Sequence, residues 1–145
     1  MAFPEPAPGL VIRYGYLWAE EHRRGWEEGV KDRPCAVVLV TKSEDDERVV
    51  TVLPVSHTPP SDPRLAVEIP APVKRRLKLD DERSWVVLTE ANRFIWPGPD
   101  LRPSKRGDSA SVGYGPLPFA LFEEIRIKFI AAIRAKRASV VPRSE

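Results

Sequence analysis

Proline constrains this chain more than any other residue. Sixteen of the 145 residues are proline, against eight glycines, where average usage would give roughly seven prolines. Proline ends helices and brings no N–H to a strand ladder, so it is excluded from central strands. Spread along the whole sequence, these residues argue for short elements joined by stiff turns and against a long helical bundle. At this length one domain is expected, and about two-thirds of the surface of the unfolded chain can be buried. A hydrophobic share of 42% and a charged share of 30% fit a globular chain rather than a disordered one. No apolar run approaches the ~20 residues that cross a bilayer. Met1-Ala2-Phe3-Pro4-Glu5-Pro6 lacks the basic start and apolar middle of a signal peptide. The one cysteine, Cys35, has no internal disulfide partner, so a cytoplasmic protein without membrane contact is expected.

Residues 1–8, with three prolines, read as an extended arm, 9–137 as one domain and 138–145 as a tail. Residues 9–18, rich in β-branched and aromatic side chains, form a first strand. Residues 19–32 are mostly charged, with two glycines and Trp26, and read as an exposed mobile loop of the kind that often carries function. The near-continuous apolar run within 33–42 predicts a buried strand with Pro34 at its entrance. An acidic turn at 43–47 leads to a returning strand at 48–56, which makes a hairpin. Short strands are expected at 65–69, 84–88 and 92–96, and a small helix at 71–78, where Val73 and Leu77 are four apart. Residues 97–116 lack periodicity and read as a long loop. The clearest helix follows Pro116 and Pro118, with Phe122, Ile125, Phe129 and Ile133 on one stripe. Leu121, Ile127 and Ile130 widen its apolar surface, so part of it is available to a second subunit. Five or six strands and a C-terminal amphipathic α-helix make the expected fold mainly β: a small, strongly curved barrel with the helix packed on it.

Charge is uneven. Residues 1–70 carry 8 Lys/Arg against 12 Asp/Glu, a net of −4, while 71–145 carry 15 against 9, a net of +6. A basic half attracts phosphate backbones, but Lys74-Arg75-Arg76 and Arg134, Lys136 and Arg137, taken alone, better suit solvated helix surfaces. Two histidines and one cysteine give no metal-ligand spacing, so no metal and no cofactor are expected. Glycine-rich phosphate loops are absent, and a cysteine inside an apolar run is a poor nucleophile.

One constellation remains. If the strands at 33–42 and 48–56 pair across the acidic turn, Arg33 and Ser56 fall at the same end, and Glu28 lies five residues before Arg33. A guanidinium fork, a hydroxyl and a carboxylate suit a phosphodiester: Arg33 grips non-bridging oxygens, Ser56 orients the phosphate and Glu28 accepts a proton. The same spacing also suits a surface Glu–Arg pair and a strand-end serine. His57 is a candidate leaving-group acid or a loop bystander. Trp26 and Trp96 either stack bases or pack, and Lys31 and Arg93 are candidate RNA contacts.

Gly9-Leu10-Val11, then Glu28-Gly29-Val30-Lys31-Asp32-Arg33-Pro34 followed by aliphatic residues, then Val52-Leu53-Pro54-Val55-Ser56, resemble the MazF/PemK family of toxin endoribonucleases. Tyr114-Gly115-Pro116-Leu117 and the helix after it resemble that family's ending, and the likeness spans about residues 9–135. Membership implies an SH3-like barrel, usually a homodimer, that cuts single-stranded RNA without metal and is held by a cognate antitoxin. By position, Arg33 and Ser56 match its catalytic arginine and Thr/Ser, and Glu28 the acidic residue before the arginine. Thr89-Glu90-Ala91-Asn92-Arg93 stands where many members carry an Asp-Gln-containing strand, and 97–116 has no family counterpart. The alternative is a non-catalytic barrel of this superfamily fold that binds a protein partner, either a gyrase poison or a regulator.

Overall fold

The apolar run that opens at Cys35 becomes the middle of the molecule. A computed structural model describes residues 3–27, 29 and 31–143. In it β2 (Arg33–Lys42) and β3 (Arg48–Ser56) form the expected hairpin, with the expected boundaries. Asp46 takes a left-handed conformation (φ 62°) in the connecting turn, which a short polar side chain tolerates. The two strands alternate between two cores. Cys35, Val37, Val50 and Val52 face one, with Tyr14, Tyr16 and Phe94; Ala36, Val38, Leu53 and Val55 face the other. A strand buried on both faces reads as continuous hydrophobicity. Leu39 departs from that pattern and is 52% exposed, because the register shifts between Val37 and Leu39 and a bulge turns the strand outward.

Around this hairpin, β1 (Leu10–Tyr14) pairs with β2, and β7 (Gly113–Pro116) pairs with β1. β4 (Ala66–Glu68) pairs with β5 (Trp85–Val87), which joins the last two residues of β3. β6 (Glu90–Trp96) lies along the first half of β3, and β8 (Ser139–Pro142) runs parallel to β6. All other pairings are antiparallel. Besides β2, β3 thus has two different neighbours in turn along its length, the curvature of a small barrel-like fold. Among the described residues there are eight strands, more than the five or six expected.

Among the described residues three α-helices complete the fold: α1 (Ala19–Arg23), α2 (Ala71–Arg76) and α3 (Phe119–Arg134). Phe122, Ile125 and Phe129 of α3 close the core that Val73 and Leu77 also line. Ile133, expected on that stripe, is exposed, and Ala132 is buried in its place. α3 is not the last element. The expected tail contains β8, and the expected loop at 97–116 ends in β7. The expected loop at 19–32 begins with α1, where the Glu21 carboxylate accepts from the Trp18 N–H at 3.0 Å. The proline-rich arm is anchored by Phe3, which packs on the core of Tyr14 and Phe94, and by the Glu5–Arg48 ion pair. Among the described residues no helix is long and apolar enough to cross a membrane.

Cys35 is fully buried, and burial pushes its thiol well above the ordinary range. Since the thiolate is the reactive form, a thiol reagent such as Ellman's is expected to release nothing from the native protein. One equivalent appears after unfolding in urea; rapid native labelling would contradict this burial.

Candidate functional site

The hairpin brings Arg33 and Ser56 to the same end. Cys35 and Pro54 are the outermost pair of the β2–β3 ladder; Arg33 and Ser56 each lie two residues beyond it, where Arg33 pairs with Tyr14 of β1 and Ser56 with Trp85 of β5. Side chains alternate along a strand, so both lie on the face of Cys35, Val37, Val50 and Val52. Trp18 packs on that same core. The Arg33 guanidinium lies over its ring, 4.8 Å from the centroid, and Trp18 lines one groove with Ser56, Thr58, Pro59, Pro60 and Thr89.

Trp18 is held from both sides in sequence. Leu17 donates its N–H to Asn92 Oδ1 (2.9 Å), and its carbonyl accepts from Asn92 Nδ2 (2.7 Å). Glu90 Oε1 accepts from the Ala19 N–H (2.8 Å) and from the Tyr16 hydroxyl (3.1 Å). Burial raises the Glu90 carboxyl above the usual glutamate range, against those two hydrogen bonds. Gly29 approaches the Tyr16 carbonyl so closely that a Cβ would collide with it, which admits only glycine there.

Arg33 donates from Nη1 to the Val55 carbonyl at 3.3 Å, while its buried Nε has no hydrogen-bond partner among the described residues. A buried orphan donor costs about 1–3 kcal/mol, a cost that an anionic oxygen beside the guanidinium would help offset. Ser56 Oγ accepts from the Thr58 N–H at 3.1 Å and terminates the strand.

On the other side of Arg33 lies a cavity of about 170 Å³ lined by Lys31, Asp32, Val55, His57, Asp80 and Ser84 among others. His57 places Nε2 2.7 Å from Asp80 Oδ2 and Nδ1 3.1 Å from Glu82 Oε2. Beneath them is Lys74, whose ammonium donates to Asp80 Oδ1 (2.6 Å), Ser84 Oγ (2.7 Å) and the Glu82 carbonyl. Its hydrogen bond holds the Asp80 carboxyl below the ordinary aspartate range. Lys74 is 5% exposed, which corrects its reading as a solvated helix residue. Val73, Lys74 and Leu77 fall three and four apart, so Lys74 shares the inward face of α2.

His57, Asp80 and Glu82 bring ligand atoms within 4.8 Å of one another. The donor set fits a divalent cation poorly, because the Lys74 ammonium already occupies Asp80 and would repel it.

Of the other expected site residues, Lys31 reaches the Arg33 cavity. Arg93 is exposed and pairs with Thr51, midway along β3. Trp96 pairs with Arg48 at the far end of that strand from Ser56 and packs near Phe94. Trp26 lines a separate pocket with His22 and Arg143. The structure therefore does not bring Trp26, Arg93 or Trp96 to Arg33. Glu28 lies outside the described residues. Sequence reasoning missed Trp18, Asp80, Lys74 and Asn92. Of these, Lys74 carries a visible signal, its angular place beside Val73 and Leu77 on the helix, and the other three carry none.

No family model matches this chain, and no curated protein matches it.

Proposed function

We propose that this chain is a toxin endoribonuclease of the MazF/PemK kind, an SH3-like barrel acting in the cytoplasm on single-stranded RNA without metal. The observation that carries this reading is Trp18, whose ring lies under the Arg33 guanidinium and lines a groove with Ser56. The RNA 2′-oxygen attacks the adjacent phosphorus while its proton passes to a carboxylate, for which the sequence offers Glu28. Arg33 stabilises the charge growing on the phosphorane oxygens, and Ser56 orients the phosphate. The bond from phosphorus to the 5′-oxygen breaks, and that oxygen takes a proton from His57. The products are a 2′,3′-cyclic phosphate and a 5′-hydroxyl. An antitoxin and a second subunit belong to this reading, and the exposed Phe119, Ile127 and Ile133 of α3 are apolar surface such partners would cover.

Incubation with a long single-stranded RNA is expected to give discrete fragments with 5′-hydroxyl ends, equally with and without EDTA. A 2′-deoxy substitution at the cut position blocks cleavage, because the nucleophile is gone. Intact RNA, or cutting of the matching DNA, would overturn the proposal.

A further inference from the structure

We propose that Asp80, fixed by the buried Lys74, is a positioning residue that presents His57 to the phosphodiester as the acid for the departing 5′-oxygen; the inference rests on the ribonuclease reading. The sequence offered His57 alone, and the cluster behind it comes from two further stretches of chain, Lys74 of α2 and the segment 80–84.

Lys74 is the fixed post. It is buried and spends its N–H donors on Asp80 Oδ1, Ser84 Oγ and the Glu82 carbonyl, so it has no freedom to swing. Asp80 Oδ1 also accepts from the Glu82 N–H at 3.2 Å. One carboxylate oxygen is therefore anchored twice, and the other, Oδ2, is aimed at His57 Nε2. A carboxylate held this way fixes the orientation of an imidazole ring, which is what a proton donor needs before its pKa matters.

The two partners of His57 differ. Asp80 is anchored by Lys74. The Glu82 side chain is 73% exposed and reaches Nδ1 from the solvent side. Glu82 is the exchangeable partner, and a phosphodiester entering beside Arg33 takes its place at Nδ1. In the bond-breaking step the P–O5′ electron pair goes to the 5′-oxygen, which receives the Nδ1 proton. The 2′-hydroxyl proton leaves to the general base, and His57 regains its own from solvent. Arg33 and His57 line the same cavity, and Ser56 lines the groove on the other side of Arg33; the phosphate is seated at the guanidinium, where the two meet.

A purely structural role, tying the 78–84 segment to the end of β3, would produce the same contacts. Kinetics on the full chain separate the two. With a single-stranded oligoribonucleotide, Asp80→Asn is expected to lower kcat about 10- to 100-fold with KM within about twofold. In a His57→Gln background the same substitution costs nothing further, because Asp80 acts only through His57. Asp80→Ser, a smaller replacement, gives the same pattern and guards against a misfit peculiar to asparagine. An unchanged kcat in Asp80→Asn, or an equal loss in both backgrounds, overturns the positioning role and leaves the ribonuclease standing. A wild-type protein that cuts no RNA overturns both.

Discussion

Arg33→Ala is expected to lower RNA cleavage by about 10²- to 10³-fold or more, with the circular dichroism spectrum unchanged. The size follows from what the guanidinium does. Two parallel N–H groups meet oxygens whose charge grows only as the phosphorane forms, so the interaction is stronger in the transition state than in the bound substrate. The fold loses little. Arg33 gives up one 3.3 Å bond to the Val55 carbonyl and its contact with Trp18, while the buried orphan Nε disappears. These effects oppose each other and leave a net stability change of about 1 kcal/mol or less. Arg33→Lys separates charge from geometry. It keeps a positive charge but not the fork, so its rate falls between those of wild type and Arg33→Ala. A fully active Arg33→Ala would remove the proposed centre, whatever else cuts the RNA.

The parts of this fold legible in the sequence are those whose signal is local. The hairpin at Arg33–Ser56 was visible because two apolar runs flank an acidic turn, and the helix after Pro118 because Phe122, Ile125 and Phe129 repeat at helical spacing. β7 was hidden because Gly113-Tyr114-Gly115-Pro116 offers no alternation; it pairs with β1 through backbone alone. β8 was hidden by its position near the C-terminus, where Ser139-Val140-Val141-Pro142 reads equally as a loose end. At the site, Arg33 and Ser56 each lie two residues beyond the last pair of the hairpin, so strand arithmetic alone places them at one end. The Lys74–Asp80–His57 chain joins a helix, a turn and a strand exit, and no spacing rule connects them. Lys74 in particular sits within Lys74-Arg75-Arg76, where composition predicts solvent; only the angular position beside Val73 and Leu77 turns it inward. Trp96 was a plausible base platform by residue type, but it is separated from Ser56 by the length of β3, roughly 25 Å at the usual rise per residue.

Arg143→Ala is expected to destabilise the protein by about 3–5 kcal/mol, the usual cost of removing one member of a buried ion pair, and to lower Tm by about 10 °C or more. The Arg143 side chain is 2% exposed. Nη2 lies 2.7 Å from Asp100 Oδ2 and donates to the Glu27 carbonyl at 3.3 Å. Nη1 donates to the Gly15 carbonyl (2.9 Å) and to Asn92 Oδ1 (3.0 Å). Truncation leaves Asp100 with Arg102 at 3.4 Å as its remaining cation and strips a donor from two backbone carbonyls. Arg143→Lys keeps the charge but cannot reach these oxygens as a fork, so its stability lies between those of wild type and alanine. Pairing Arg143→Ala with Asp100→Asn recovers part of the loss, because the orphaned carboxylate is then neutral. The damage also reaches the candidate site. Gly15 and Asn92 both bear on the segment that carries Trp18, the ring under Arg33, so residual RNA cleavage falls below what the unfolded fraction alone accounts for. A Tm within about 1 °C of wild type would mean that the guanidinium is solvated, and that the last strand does not lock the chain around its site.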